Sequence, residues 1–182
     1  IEKGASFTIS GGGKLSVNRN LVNDGTLDAT TGVIELSPNV DCPASSSFEG
    51  KGVSMIKELD VNNSLGFYLV SGTLGIISDL KFNEGIIYNN GILNLASGIT
   101  VTGADDTKHV QGPVSKIGAE DFDFPIGDEG RLGMLSISDL SGSERFTAKY
   151  VGSAYSNLTV GTTLAVVSTE EYWNLDRAGL GE

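Results

Sequence analysis

Short apolar–polar–apolar units recur through the first hundred residues, with turn formers in the gaps. Marked by its first apolar residue, each unit falls at Phe7, Leu15, Leu21, Leu27 and Ile34, with steps of 8, 6, 6 and 7 residues. A second block runs through Leu59, Phe67, Leu74, Leu80, Ile86, Leu93 and Ile99, with steps of 8, 7, 6, 6, 7 and 6. Three successive steps sum to 19–21 residues in the five spans Phe7 to Leu27, Leu15 to Ile34, Leu59 to Leu80, Leu74 to Leu93 and Leu80 to Ile99. Strand side chains alternate between faces, so each unit is a short strand with two inward side chains. Three such strands per repeat predict a three-sided parallel β-solenoid, or β-helix, over residues 1–109. One coil cannot hold itself together, because its few inward side chains do not offset the backbone entropy of some 20 residues; stacking must supply the rest.

The corners are read at Asn23-Asp24-Gly25, Ser71-Gly72, Glu84-Gly85, Asn89-Asn90-Gly91 and Ser97-Gly98. Gly and Asn tolerate positive φ most cheaply. A meander of hairpins would also use Asn-Gly turns, but its strands are longer and repeat less regularly. Right-handed coiling is expected from strand twist and crossover preference. The beat lapses between Pro38 and Lys57, which predicts an irregular excursion near 38–57. After Val110 longer strands such as "FDFPIG", "RFTAKYVG" and "EYWNLD" predict a partial antiparallel β-sandwich-like module over 110–182. The fold class expected is thus all-β throughout.

Composition narrows the function. Net charge is -11 and the pI about 4.4, which disfavours nucleic acid and anionic membranes as partners. The single cysteine, Cys42, forbids an intrachain disulfide and a multi-Cys zinc site, and the single histidine, His109, forbids a His cluster. Cys42 beside Pro43 reads as an unpaired loop thiol. No apolar run approaches the length of a membrane span, and the opening at Ile1 carries no signal-peptide pattern. The chain is therefore expected to be a piece of a longer mature protein.

The stretches "NDGTL", "SGTLGI", "GITVTGADDTKHVQGPVSKIG", "FDFPIGDEGRL", "LSISDL", "FTAKYVGSAY" and "VVSTEEYWNLDR" resemble large secreted surface and adhesin-like proteins of Bacteroidetes, cargo of the type IX secretion system. The likeness is densest from Gly98 to Arg177. It implies an extracellular, cell-surface location and a structural or adhesive role. The proteins it points to include gliding adhesins, filament subunits and unassigned surface proteins, so it specifies no activity.

No residue stands out as catalytic, cofactor-binding or metal-binding. Asp121, Asp123, Asp128 and Glu129 are close in sequence and leave calcium open, but the spacing is not that of an EF-hand and Phe122 and Phe124 alternate like core residues. Asp105 and Asp106 read as a polar turn. His109 lacks a Cys or Ser partner motif. The coils offer few basic groups and no stacked acidic row, which argues against a polysaccharide-cleaving site. Thr100 and Thr102 form one pair of the kind a flat ice-binding face repeats, but Lys81 and Asn83 do not repeat it. The sequons at Asn62 and Asn157 carry little weight in a bacterial protein. Tyr172 and Trp173 could stack on sugar, though alternation places at least one in a core. The expected function is a stiff spacer and module junction in a giant extracellular surface protein or filament, not an enzyme. Its partners would be the flanking modules of the same chain, or further copies in a homo-oligomer or filament. The alternative is a carbohydrate-binding or polysaccharide-cleaving β-helix.

Overall fold

The computed structural model describes residues 1–38, 44–159 and 166–179, and the unpaired-thiol expectation at Cys42 lies outside them. All regular structure is β. The first coil contains β1 (Ser6–Thr8), β2 (Lys14–Val17) and β3 (Asn20–Val22). In the second, β4 (Thr26–Leu36) supplies two sides and β5 (Ser46–Glu49) the third. The third and fourth repeat this with β6 (Val53–Asn62) and β7 (Phe67–Leu69), then β8 (Thr73–Glu84) and β9 (Ile87–Asn89). The fifth returns to three separate strands, β10 (Ile92–Leu95), β11 (Thr100–Thr102) and β12 (Val110–Gln111).

The three-sided plan is visible in the pairing. The first half of β4 lies parallel to β1 and its second half parallel to β2, with the ladder to β6 shifting between Ala29 and Val33 where the chain turns a corner. Likewise β10 and β11 pair with successive halves of β8. The third face is the parallel series β3, β5, β7, β9 and β12. Four of the predicted stackings are the observed partners: Phe7 with Leu27, Leu15 with Ile34, Leu59 with Leu80 and Leu74 with Leu93. The fifth differs, since Leu80 lies beside Val101 rather than Ile99. Coil five spends two more residues than coil four between its first and second faces, turning at Ser97-Gly98, so the register moves by two. Phe67 pairs with Ile87 rather than Ile86, and Ile87 is the inward residue of that adjacent pair.

The excursion expected near 38–57 is largely regular. Ser46–Glu49 is a strand of the third face, and β6 is under way from Val53. The beat vanished because Ser46 and Ser54 occupy inward positions and are fully buried. Corner asparagines satisfy them. Asn63 Nδ2 donates to Ser46 Oγ (3.1 Å) and Ala44 O (2.9 Å), and Asn23 Nδ2 donates to Ser54 Oγ (2.8 Å) and Val53 O (3.0 Å). Each of these asparagines also closes an Asx turn, accepting at Oδ1 from the N–H two residues on: Gly25 for Asn23 and Leu65 for Asn63, both at 3.1 Å. Asn89 repeats the device, accepting from Gly91 N–H at 3.1 Å and donating to Pro113 O on the next coil. These three corner amides thus tie coil to coil, each using both its oxygen and its nitrogen.

Corner glycines serve two purposes. Gly85 has φ +90°, as positive-φ turn chemistry requires, and a Cβ there would strike Asn63 O. Gly25 does not have positive φ; it is required because a side chain would run into Ala5 O on the coil before. The interior is filled tightly by Leu27, Ile56, Leu59, Phe67, Ile76, Leu80 and their neighbours. The void among Val17, Leu27, Phe48 and Leu59 is about 10 Å³ and apolar, too little to be hydrated without polar partners.

The parallel ladders run past residue 109. β12 itself begins at Val110, β13 (Val114–Gly118) adds to β10, and β15 (Ile126–Asp128) adds to β12. The change of pattern near Val110 therefore marks where antiparallel strands join, not where the coils stop. β18 (Glu144–Val151) pairs antiparallel with β13 and β19 (Tyr172–Ala178) with β18, in the same sheet as the first two faces. β16 (Arg131–Leu132) turns back on β15, while β14 (Phe122–Phe124) and β17 (Leu135–Ile137) form a separate antiparallel pair.

Candidate functional site

Phe122 and Phe124 are buried and meet edge to face at 5.0 Å, so Asp121 and Asp123 do point outward together. They are nevertheless engaged separately. Asp121 Oδ1 accepts from Asp139 N–H (3.1 Å), Asp123 Oδ1 from Ser136 Oγ (2.5 Å) and Asp128 Oδ2 from Gly152 N–H (3.1 Å). Asp121 and Asp123 fasten β14 to β17, Asp128 fastens β15 to the end of β18, and no group of three or more potential metal ligands occurs among the described residues. Glu129 occupies the left-handed region, φ +50°, in the turn before β16.

Asp105 forms a turn, accepting from Thr107 N–H (2.9 Å) and Thr107 Oγ1 (2.8 Å) and pairing with Lys108 (2.9 Å). The Lys108 ammonium, followed by the Thr107 donors, lowers its pKa to about 2. Asp106 accepts from Leu132 N–H at 2.9 Å. His109 is fully buried, with Nδ1 3.2 Å from Asp105 O and its ring against Gly127. Its Nε2 has no hydrogen-bond partner among the described residues.

The first two faces carry side chains whose importance spacing did not reveal. On the second face, Glu35 stacks beside Asp60, and Glu58 beside Asp79, on neighbouring strands. The expectation of no stacked acidic row is corrected here: the row is set by register between coils, which a single strand's sequence does not display. Lys14 lies 3.3 Å from Glu35 and 4.0 Å from Asp60, and Lys81 is ion-paired to Glu58. Burial, then the nearby Glu58 charge, pushes the Asp60 pKa up, and the hydrogen bond to Glu58 raises that of Lys81. Thr100 and Thr102 lie beside Asp79 and Lys81, so no threonine array forms.

On the first face Lys116 takes the inward position beside Leu95 and is almost wholly buried. Its ammonium donates to Ile117 O (2.7 Å) and Glu120 Oε1 (2.6 Å) and sits 5.2 Å from the Phe122 ring centre. Burial works to raise the Glu120 pKa, but the Lys116 ammonium and the Gly98 N–H bring it down to about 2. The lysine at inward parity in "VSKIG" was the available signal.

The third face presents the most binding-like surface. Tyr68 and Tyr88 are cross-strand partners and stack at 4.5 Å with ring planes 16° apart. Tyr88 in turn neighbours Gln111. Gln111 lines a cleft of about 340 Å³, with Asn90, Gly112, Pro113, Asp128, Lys149 and Tyr150 around it. Tyr150 OH is committed to Glu171 Oε2 (2.5 Å). Sequence reasoning instead singled out Tyr172 and Trp173. Tyr172 is half-buried against Tyr155, while Trp173 is 41% exposed, leans on Tyr150 and donates from Nε1 to Gly133 O at 2.8 Å. Asn157 Oδ1 accepts from Thr159 N–H within its own sequon, and Asn62 closes β6.

Compared with protein-family models, curated proteins and solved structures, the chain matches none. The described residues include no helix long and apolar enough to cross a membrane.

Proposed function

We propose that the chain is a stiff structural segment of a longer extracellular surface protein or filament, without enzymatic activity, that spaces and joins neighbouring modules. The observation that carries this reading is the parallel stack of about five coils, cross-tied at its corners by Asn23, Asn63 and Asn89. Force along such a stack is shared by three ladders per coil, so the segment resists bending and unzipping. The acidic surface suits a solvated exterior, and the resemblance to secreted Bacteroidetes surface proteins supports the same location.

Pulling the chain from its two ends in a force microscope tests the mechanical part. Coils of about 20 residues should rupture in discrete steps that each release about 65–70 Å of extended chain. A smooth extension without resistance refutes the spacer. Surface placement is tested in intact cells producing the full-length protein: removal by externally added protease is expected, and complete protection contradicts it.

A further inference from the structure

The cleft beside the stacked tyrosines contains more binding chemistry than a spacer requires. Among its lining residues, Asn90, Gln111 and Lys149 make no side-chain hydrogen bond or ion pair to another described residue. Such groups are free to serve a ligand. Their neighbour Tyr88 continues the cleft into an aromatic ridge shared with Tyr68, which is 37% exposed. Exposed Leu65 and Val70 flank that ridge. The cleft volume falls in the range of small-molecule sites.

We propose that this ridge and cleft bind a neutral oligosaccharide. A pyranose has an apolar C–H face that suits an aromatic ring, and a rim of hydroxyls that suits amide and ammonium groups. Tyr68 and Tyr88 supply the first surface; Asn90, Gln111 and Lys149 supply the second. Charge selects the class of sugar. Lys149 is balanced in the cleft by Asp128, and the chain as a whole carries -11, so polyanionic glycans are repelled. The inference rests on the surface-protein reading for its biological setting, but its chemistry is separate from the rod's mechanics.

The test is titration calorimetry of the intact chain with neutral hexasaccharides of glucose, mannose, xylose and N-acetylglucosamine, with oligogalacturonate as the anionic comparison. Saturable binding of at least one neutral series is expected, with none of oligogalacturonate. Gln111→Ala and Tyr88→Ala should each weaken that binding by about tenfold, whereas Tyr88→Phe retains it. Tyr88 packs against Gly66, so Gln111→Ala, which removes no internal bond, decides the matter if Tyr88→Ala unfolds. Silence across the neutral panel, preference for oligogalacturonate, or undiminished binding by Gln111→Ala overturns the proposal. Rupture force measured on the same samples separates this failure from failure of the spacer reading.

Discussion

Asn63→Ala probes how strongly one corner couples two coils. The side chain makes three hydrogen bonds: from its Nδ2 to Ala44 O (2.9 Å) and Ser46 Oγ (3.1 Å), and from Leu65 N–H to its Oδ1 (3.1 Å). All three disappear in alanine. Each is worth about 1 kcal/mol net, and buried groups left without partners add to the loss. Ser46 Oγ keeps its bond to Val17 O (3.3 Å), which limits that extra cost. The expected destabilisation is about 3 kcal/mol. For a chain of this size that lowers the melting temperature by roughly 6–12 °C. Urea denaturation followed by circular dichroism reads the free energy directly, with exposed Asn83→Ala as the control, expected within about 0.5 kcal/mol of the parent. Asn63→Asp keeps the turn acceptor but removes both donors and buries a charge, so it should be at least as damaging as alanine. If Asn63→Ala is no less stable than Asn83→Ala, the corner amide does not tie the coils and the account of the buried serines fails with it.

Glu120→Gln should cost about 2–3 kcal/mol, because it weakens the one carboxylate contact of the buried Lys116 ammonium among the described residues while Glu120 itself keeps some exposure. Since the folded Glu120 pKa is depressed to about 2, its contribution is present above the ordinary glutamate pKa of about 4.3 and is lost as pH falls through about 2. An acid titration of stability should therefore lose part of its low-pH limb in Glu120→Gln, and an unchanged limb contradicts the pairing. Gly85→Ala combines a left-handed backbone with a collision against Asn63 O; a loss of about 2 kcal/mol or more is expected in thermal melts, and a neutral result refutes the close approach. Asp60→Asn removes a charge disfavoured by burial and by the neighbouring Glu58. A raised folded pKa means ionised Asp60 disfavours folding above its unfolded value, so the variant should gain up to about 1 kcal/mol at pH 7 and show little gain at pH 3. A loss at pH 7 would falsify that sign.

Much of the solenoid could be read directly from apolar spacing. Leu15 and Ile34, or Leu74 and Leu93, are one coil apart in sequence because each side holds the same short strand. Spacing failed where inward residues were polar, as at Ser46 and Ser54, whose burial depends on amides from distant corners. It also failed where two apolar residues adjoin, since Ile86 and Ile87 offer the inward place equally until the pairing with Phe67 is known. Of the antiparallel strands, β18 and β19 were recognisable by length; the short β14, β16 and β17 were not, nor was the attachment to the coil sheets, which depends on β13 pairing with β18. The binding surface was the least legible. Tyr68, Tyr88 and Gln111 lie about 20 residues apart and become a single strip only when three coils are stacked.

The strands that turn against the coil direction give the stack a polarity. On the first face the outer edge of β13 is occupied by β18, and on the third the outer edge of β15 is occupied by β16. Another coil laid on that end would have to displace hydrogen-bonded strands on two of its three sides. Lengthening the prism there is therefore opposed by the backbone itself, and any repeat expansion that keeps these two reversals intact must fall among the earlier coils or ahead of them.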